Sequence, residues 1–191
     1  MVPLGAVTET TADLDRRVAD VEVEVVRRLK RVTRTKLVKL IYLIDERYYR
    51  LYGETLTGLS YRYDKYGPNA CDNAIVKIGD SLVGFELTMT RETLADGTRY
   101  TYLSGKSPRF GPVLSDRAVG VVEDVLAEYG HLPLARLVAA SKTTRPFSNG
   151  PAPGDILRMA TLRGDAEARL AQIQAKVAAW PPIPDFEPAV E

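Results

Sequence analysis

The 191 residues carry 26 lysines and arginines against 25 aspartates and glutamates, a formal charge of +1 that excludes both a nucleic-acid polycation and an acidic mimic. Hydrophobic content of 45% suits one globular domain with a real core, and the single cysteine, Cys71, excludes an internal disulfide framework. No run approaches the ~20 apolar residues of a membrane-spanning helix, and residues 1–11 lack the basic-then-apolar pattern of a secretory signal, so a cytoplasmic protein is expected.

Residues 1–10 read as a flexible lead-in. A helix is expected over residues 13–32, where Leu14, Val18, Val21, Val25 and Leu29 share one stripe. Thr10 or Thr11 can cap it, and Asp13 and Asp15 sit in the first turn, where the helix dipole favours negative charge. Its end is basic, with Arg27, Arg28, Lys30, Arg31, Arg34, Lys36 and Lys39 uninterrupted by an acidic residue. Such a segment can contact phosphates. Cations also suit a helix C-terminus and the loop behind it, and that reading is preferred.

The central helix is expected over residues 35–52, with Leu37, Leu40, Ile41, Ile44, Tyr48 and Leu51 at helical spacing. Leu43 lies off that stripe, so the helix should be covered on more than one side. Thr33 or Thr35 can cap its start, and Gly53 can end it in a left-handed conformation. Tyr61, Tyr63 and Tyr66 then interleave with Arg62, Asp64 and Lys65. Aromatics mixed with cations can stack bases. The period of two at Tyr61 and Tyr63 favours an extended core-edge segment instead, with a third strand near residues 57–63. Gly67-Pro68 makes a turn.

Three pieces of this region together resemble a known family. Lys36-Leu37-Val38-Lys39-Leu40-Ile41-Tyr42, then Leu51-Tyr52-Gly53-Glu54-Thr55-Leu56, then Tyr66-Gly67-Pro68 look like the signature of the Panacea domain, the SocA-like antitoxin family of bacteria and their phages. The clear likeness covers residues 35–76, and a looser one continues to Phe147. It implies a non-enzymatic domain over residues 11–180 that binds and neutralises a protein toxin encoded beside it. A proteolytic adaptor that delivers the toxin to a protease is an alternative within that class. Outside that class, and apart from the resemblance, a nucleic-acid-binding regulator using residues 27–39 and a hydrolase or transferase using carboxylates are the competing readings. The family pattern places a histidine before Pro-Trp near the end of the region. Here Lys142 stands where the histidine would be, while Pro146 and Phe147 keep the proline and an aromatic, so no role of that histidine carries over.

Residues 69–79 are expected to form a short helix, with Ala70, Ala74, Ile75 and Ile78 inward and Gly79 as its stop. A hairpin follows. Phe85, Leu87 and Met89 alternate with Glu86, Thr88 and Thr90, and Tyr100 and Tyr102 alternate with Arg99 and Thr101. Asp96-Gly97 is a strong two-residue turn signal. With that pair as the loop, Thr93 opposes Tyr100 and Arg91 opposes Tyr102, which puts both tyrosines on the face of Phe85, Leu87 and Met89. Residues 104–114 form a loop whose Gly105-Lys106-Ser107 lacks the earlier glycine a phosphate-binding loop requires.

Ser115 or Asp116 caps a helix running to Tyr129, with Val119, Val122, Val125, Leu126 and Tyr129 inward, and Pro133 opens a shorter one. A helix–glycine–helix pair can be a helix-turn-helix, but few base-reading side chains stand near the start of this second helix. A short apolar helix over residues 156–162 and a final helix from Asp165 to Trp180 precede a proline-rich tail, residues 181–191. The expected fold is a single α+β domain, mainly helical, with about six helices and a two-stranded antiparallel hairpin.

Chemistry-bearing constellations are sparse. His131, the only histidine, follows Gly130, where capping or a surface position is expected. Cys71 has no histidine near it in sequence and reads as a small core residue. One histidine and one cysteine cannot build an ordinary structural zinc site. Asp45-Glu46 and Glu123-Asp124 are sequence neighbours on helices, pointing about 100° apart, so neither is a ready bidentate metal site. No catalytic residue, metal or cofactor is expected. Partner binding is expected where aromatic or apolar groups sit beside arginine: Arg99, Tyr100 and Tyr102 near the hairpin turn, and Arg109 and Phe110 in the following loop. The competing reading has both hairpin tyrosines closing the core.

Overall fold

A computed structural model describes residues 10–105, 114–149 and 152–162. Helix α1 (Thr11–Leu29) opens on a capping box, in which Thr10 Oγ1 accepts from the Asp13 amide and the Asp13 carboxylate accepts from the Thr10 amide, both at 3.2 Å. The helix ends with its apolar stripe at Leu29, three residues short of the expected 32. Lys30 takes a φ of 62° and breaks it, and Arg31–Thr33 becomes strand β1. Val32, β-branched and buried, pairs with Leu103 across the sheet, which is where such a side chain packs well.

Helix α2 (Arg34–Tyr52) is the centre of the fold. Thr33 caps it through the Lys36 amide at 3.3 Å, and Gly53, at φ 79°, ends it with its N–H on the Tyr49 carbonyl at 2.8 Å. Ten consecutive residues, Leu37 to Glu46, are buried, because α1, the sheet and two later helices, α4 (Asp116–Tyr129) and α5 (Leu134–Thr143), cover the helix from several sides. Leu51 departs from expectation at 47% exposed. The last turn, with Tyr52, runs past the packed section into solvent.

The main sheet has three strands in the order β1-β5-β4, with β4 at Leu87–Thr93 and β5 at Arg99–Gly105. The expected two-stranded hairpin therefore gains β1. Its register also differs by one residue: Thr93 pairs with Arg99, Glu92 with Tyr100 and Thr90 with Tyr102. The cause is the turn. Leu94 N–H donates to the Thr98 carbonyl and Gly97 N–H to the Leu94 carbonyl, each at 2.9 Å, with Gly97 at φ 80°. This is a three-residue loop, Ala95 to Gly97, with a glycine bulge, rather than a two-residue one. A slip of one residue exchanges the faces. Tyr100 and Tyr102 therefore lie opposite Leu87, Met89, Leu103 and Val32, on the outer side. Phe85 is not in the strand at all and stands 80% exposed.

The third strand expected near residues 57–63 is reduced to Tyr61–Arg62 (β2), which pairs with Asn69–Ala70 (β3) in a separate two-stranded ladder. Helix α3 (Ala74–Ser81) starts later than residue 69, because Asp72 and Asn73, both at φ 54°, turn the chain first. Gly79 lies within α3 and does not stop it. A Cβ there would meet the Glu22 carboxylate at 2.6 Å, so the glycine permits α3 to approach α1.

Helices α4 (Asp116–Tyr129, capped by Ser115), α5 (Leu134–Thr143) and α6 (Arg145–Ser148) complete six α-helices among the described residues. The apolar helix expected over residues 156–162 is only a 3₁₀ turn at Met159–Leu162. The final helix expected from Asp165 and the proline-rich tail lie outside the described residues. A polar knot sits in the core between α2 and the segment after it. The fully buried Asp45 carboxylate accepts from the Thr57 amide at 2.9 Å, the Tyr61 hydroxyl at 2.6 Å and the Thr57 hydroxyl. Burial raises its pKa to about 6 against these bonds.

Candidate functional site

The basic segment from Arg27 to Lys39 is dispersed by the fold. Arg27 pairs with the buried Glu24 at 2.6 Å, and Arg28 bridges Glu24 and Glu123, the latter at 2.8 Å. Arg31 pairs with Glu92 and Arg34 with Asp80. The two motif lysines hold backbone. Lys36 Nζ donates to the carbonyls of Gly130 at 2.6 Å and Leu132 at 2.9 Å, closing the C-terminus of α4. Lys39 Nζ donates to the Pro68 carbonyl at 2.5 Å. His131, beside that helix end, is exposed, and Lys36 does the capping.

The outer sheet face assembles part of the expected site. The Tyr100 and Tyr102 rings lie 6.0 Å apart, and the Arg31 guanidinium sits 3.7 Å over the Tyr102 ring. Glu92, on β4 at the far side of β5, pairs with that arginine across the tyrosine strand. Two half-buried tyrosines are thus braced on a rigid face without entering the core. Arg99 is exposed at the start of β5 and points to the other side, so it joins the tyrosines only at the turn end of the hairpin. Arg109 and Phe110 lie outside the described residues. Arg31 was legible only as part of a basic run. The local sign of its strand is the β-branched pair Val32-Thr33 after a helix.

A second surface comes from the motif itself. Of the three interleaved tyrosines, Tyr61 is buried against Tyr42, with rings 5.0 Å apart, and Tyr63 stacks on Phe147 at 4.3 Å. Tyr66 breaks the core-edge expectation at 64% exposed. It stands at the lip of a cleft of about 230 Å³ that reaches Lys39. Cys71 is half-buried, and among the described residues no group of three His, Cys, Asp or Glu side chains could hold a metal ion. No helix among them is long and apolar enough to cross a membrane.

The fold is a mainly helical α+β domain that carries aromatic side chains beside cations on its outer sheet face. A family model described as antitoxin SocA-like, Panacea domain, matches residues 37–146, more than half of the chain, and the chain belongs to that family. No curated protein and no solved structure matches it. Membership supports an antitoxin role in general, and with it a toxin partner and a non-enzymatic, regulatory character.

Proposed function

We propose that this protein is a cytoplasmic antitoxin, one domain over residues 11–180, that neutralises a toxin encoded beside it by direct protein–protein contact. The contact is centred on Tyr100 and Tyr102, with Arg99 at its edge and Arg109 and Phe110 from the adjoining loop. The observation that carries this reading is the outward placement of the two tyrosines. A core has no use for them there, whereas rigid aromatics beside arginine are the usual anchors of interfaces. The internal pairing of the basic segment speaks against the nucleic-acid reading, since its arginines already face Glu24, Glu92, Asp80 and Glu123.

The test is co-expression with the neighbouring open reading frame. The double variant Tyr100→Ala/Tyr102→Ala is expected to stay folded, because both rings are outside the core, and to lose toxin affinity by roughly 30-fold or more, about 2 kcal/mol. Undiminished neutralisation by this variant would remove the sheet face from the interface. Retention on heparin should be weak and lost at modest salt, in contrast to a phosphate-driven binder.

A further inference from the structure

The loop from Asp64 to Pro68 is pinned from three directions. Asp64 Oδ1 accepts from the Tyr66 amide at 2.9 Å, Lys142 Nζ donates to the Lys65 carbonyl at 2.6 Å, and Lys39 Nζ donates to the Pro68 carbonyl at 2.5 Å. Gly67 sits at φ 90°, where a Cβ would come within 2.9 Å of Ser141 Oγ, so no other residue fits the turn without displacement. The backbone is clamped, and the Tyr66 ring is held outward over the cleft.

The floor of that cleft is chemically incomplete. Lys39 is 4% exposed, yet of its three N–H donors only one has an acceptor among the described residues, the Pro68 carbonyl. Asp64 attracts this ammonium without a direct ion pair and Lys142 repels it; a buried ammonium so incompletely matched is costly, and a fold that keeps one in an open cleft leaves a place for a further negative group. Arg34 lines the same cleft. Its terminal nitrogen pairs with Asp80, while its buried Nε has no partner among the described residues. Asn69 and Asn73 bring amide donors to the rim, where Asn69 Nδ2 already reaches Asn73 Oδ1 at 3.3 Å. Asp72 and Asn73, both left-handed at φ 54°, hold that rim in a conformation that carries backbone strain. Asp64 is the one carboxylate in the lining, against two cations, and Val38 and Val76 add apolar surface suited to methylene groups.

We propose that this cleft receives a carboxylate side chain from a protein partner, taken up between Lys39 and Arg34 and covered by Tyr66. That the partner is a toxin rests on the function proposed above; the carboxylate site does not. The cleft is large enough for a glutamate side chain, and Tyr66 at its lip offers the exposed aromatic contact that a free inorganic anion would not use.

The experiment is a nuclear magnetic resonance titration of the whole protein with N-acetyl-glutamate amide, its glutamine analogue and inorganic phosphate. The glutamate compound is expected to shift the Asn69 and Asn73 side-chain amide signals saturably, with a Kd of order 1–10 mM. The glutamine analogue should bind about tenfold more weakly or worse. Lys39→Met would free a buried carbonyl and endanger folding, so the readable variants are Tyr66→Ala and Asn73→Asp. The first should weaken glutamate binding severalfold at an unchanged thermal midpoint. The second, which keeps a residue tolerant of the left-handed region, should abolish it by repulsion. Absence of saturable shifts, or equal binding of the glutamine analogue, overturns the site. Phosphate binding as tight as that of the glutamate compound, insensitive to Tyr66→Ala, overturns the protein side chain as occupant. None of these outcomes bears on neutralisation by the sheet-face variant, so the two readings fail separately.

Discussion

Replacing Tyr61 with phenylalanine removes one oxygen from the core and leaves the ring in place. The ring is fully buried and packs edge-on against Tyr42, so no cavity larger than that oxygen opens. The lost bond is the 2.6 Å donation to Asp45 Oδ2. A hydrogen bond to a charged acceptor contributes about 1.5–3 kcal/mol, so a loss near 2 kcal/mol is expected, lowering Tm by about 4–8 °C for a chain of this size. The pH dependence is more diagnostic. Burial lifts the Asp45 pKa from 3.8 to about 6 in the folded protein. A raised folded pKa means that this group's contribution is fully present below about pH 4 and is lost as pH rises through about 6. That loss is about 3 kcal/mol over the window. Tyr61 donates to the charged form and so opposes the rise; without it the folded pKa climbs further and the loss extends to higher pH. Urea titrations followed by far-ultraviolet circular dichroism should find the variant's deficit near 2 kcal/mol at about pH 8 and smaller at about pH 4. A deficit below ~0.5 kcal/mol at the higher pH, or one that grows on acidification, would refute the account of Asp45 as a carboxylate stabilised by its donors.

Glu22 is fully buried, with neither carboxylate oxygen partnered among the described residues, and burial holds its pKa well above the usual range. Glu22→Met should therefore stabilise the fold by about 1–2 kcal/mol at neutral pH, read as a higher urea midpoint, with the gain shrinking toward acid as the wild-type carboxyl becomes neutral. Lys36→Met should cost about 1–2 kcal/mol and should speed amide exchange most at the C-terminal end of α4, whose neighbouring carbonyls at Gly130 and Leu132 lose their donor. If exchange there is unchanged, Lys36 is not the clamp.

What the chain declares locally, it declares well. Thr10, Thr33 and Ser115, each one of two expected candidates, cap the starts of their helices and Gly53 ends α2 as expected, because a cap satisfies orphan backbone groups within a few residues of itself. The stripe of α2 from Leu37 to Tyr48 and the covered position of Leu43 follow from periodicity, though Leu51 does not, and the motif points to the family the chain belongs to. Tertiary contacts decided the rest. Asp96-Gly97 suits a two-residue or a three-residue loop almost equally. The choice between them, and so the face on which Tyr100 and Tyr102 stand, depends on which register buries Leu87 and Leu103. Strand β1 exists because residues 102–104 lie beside Arg31–Thr33, a pairing across some seventy residues that no local pattern contains. Lys36 and Lys39 read in sequence as two more charges in a basic run. Only the folded chain brings the carbonyls of Gly130, Leu132 and Pro68 to them, and with those bonds a segment that resembled a phosphate-contacting patch becomes a set of internal clamps.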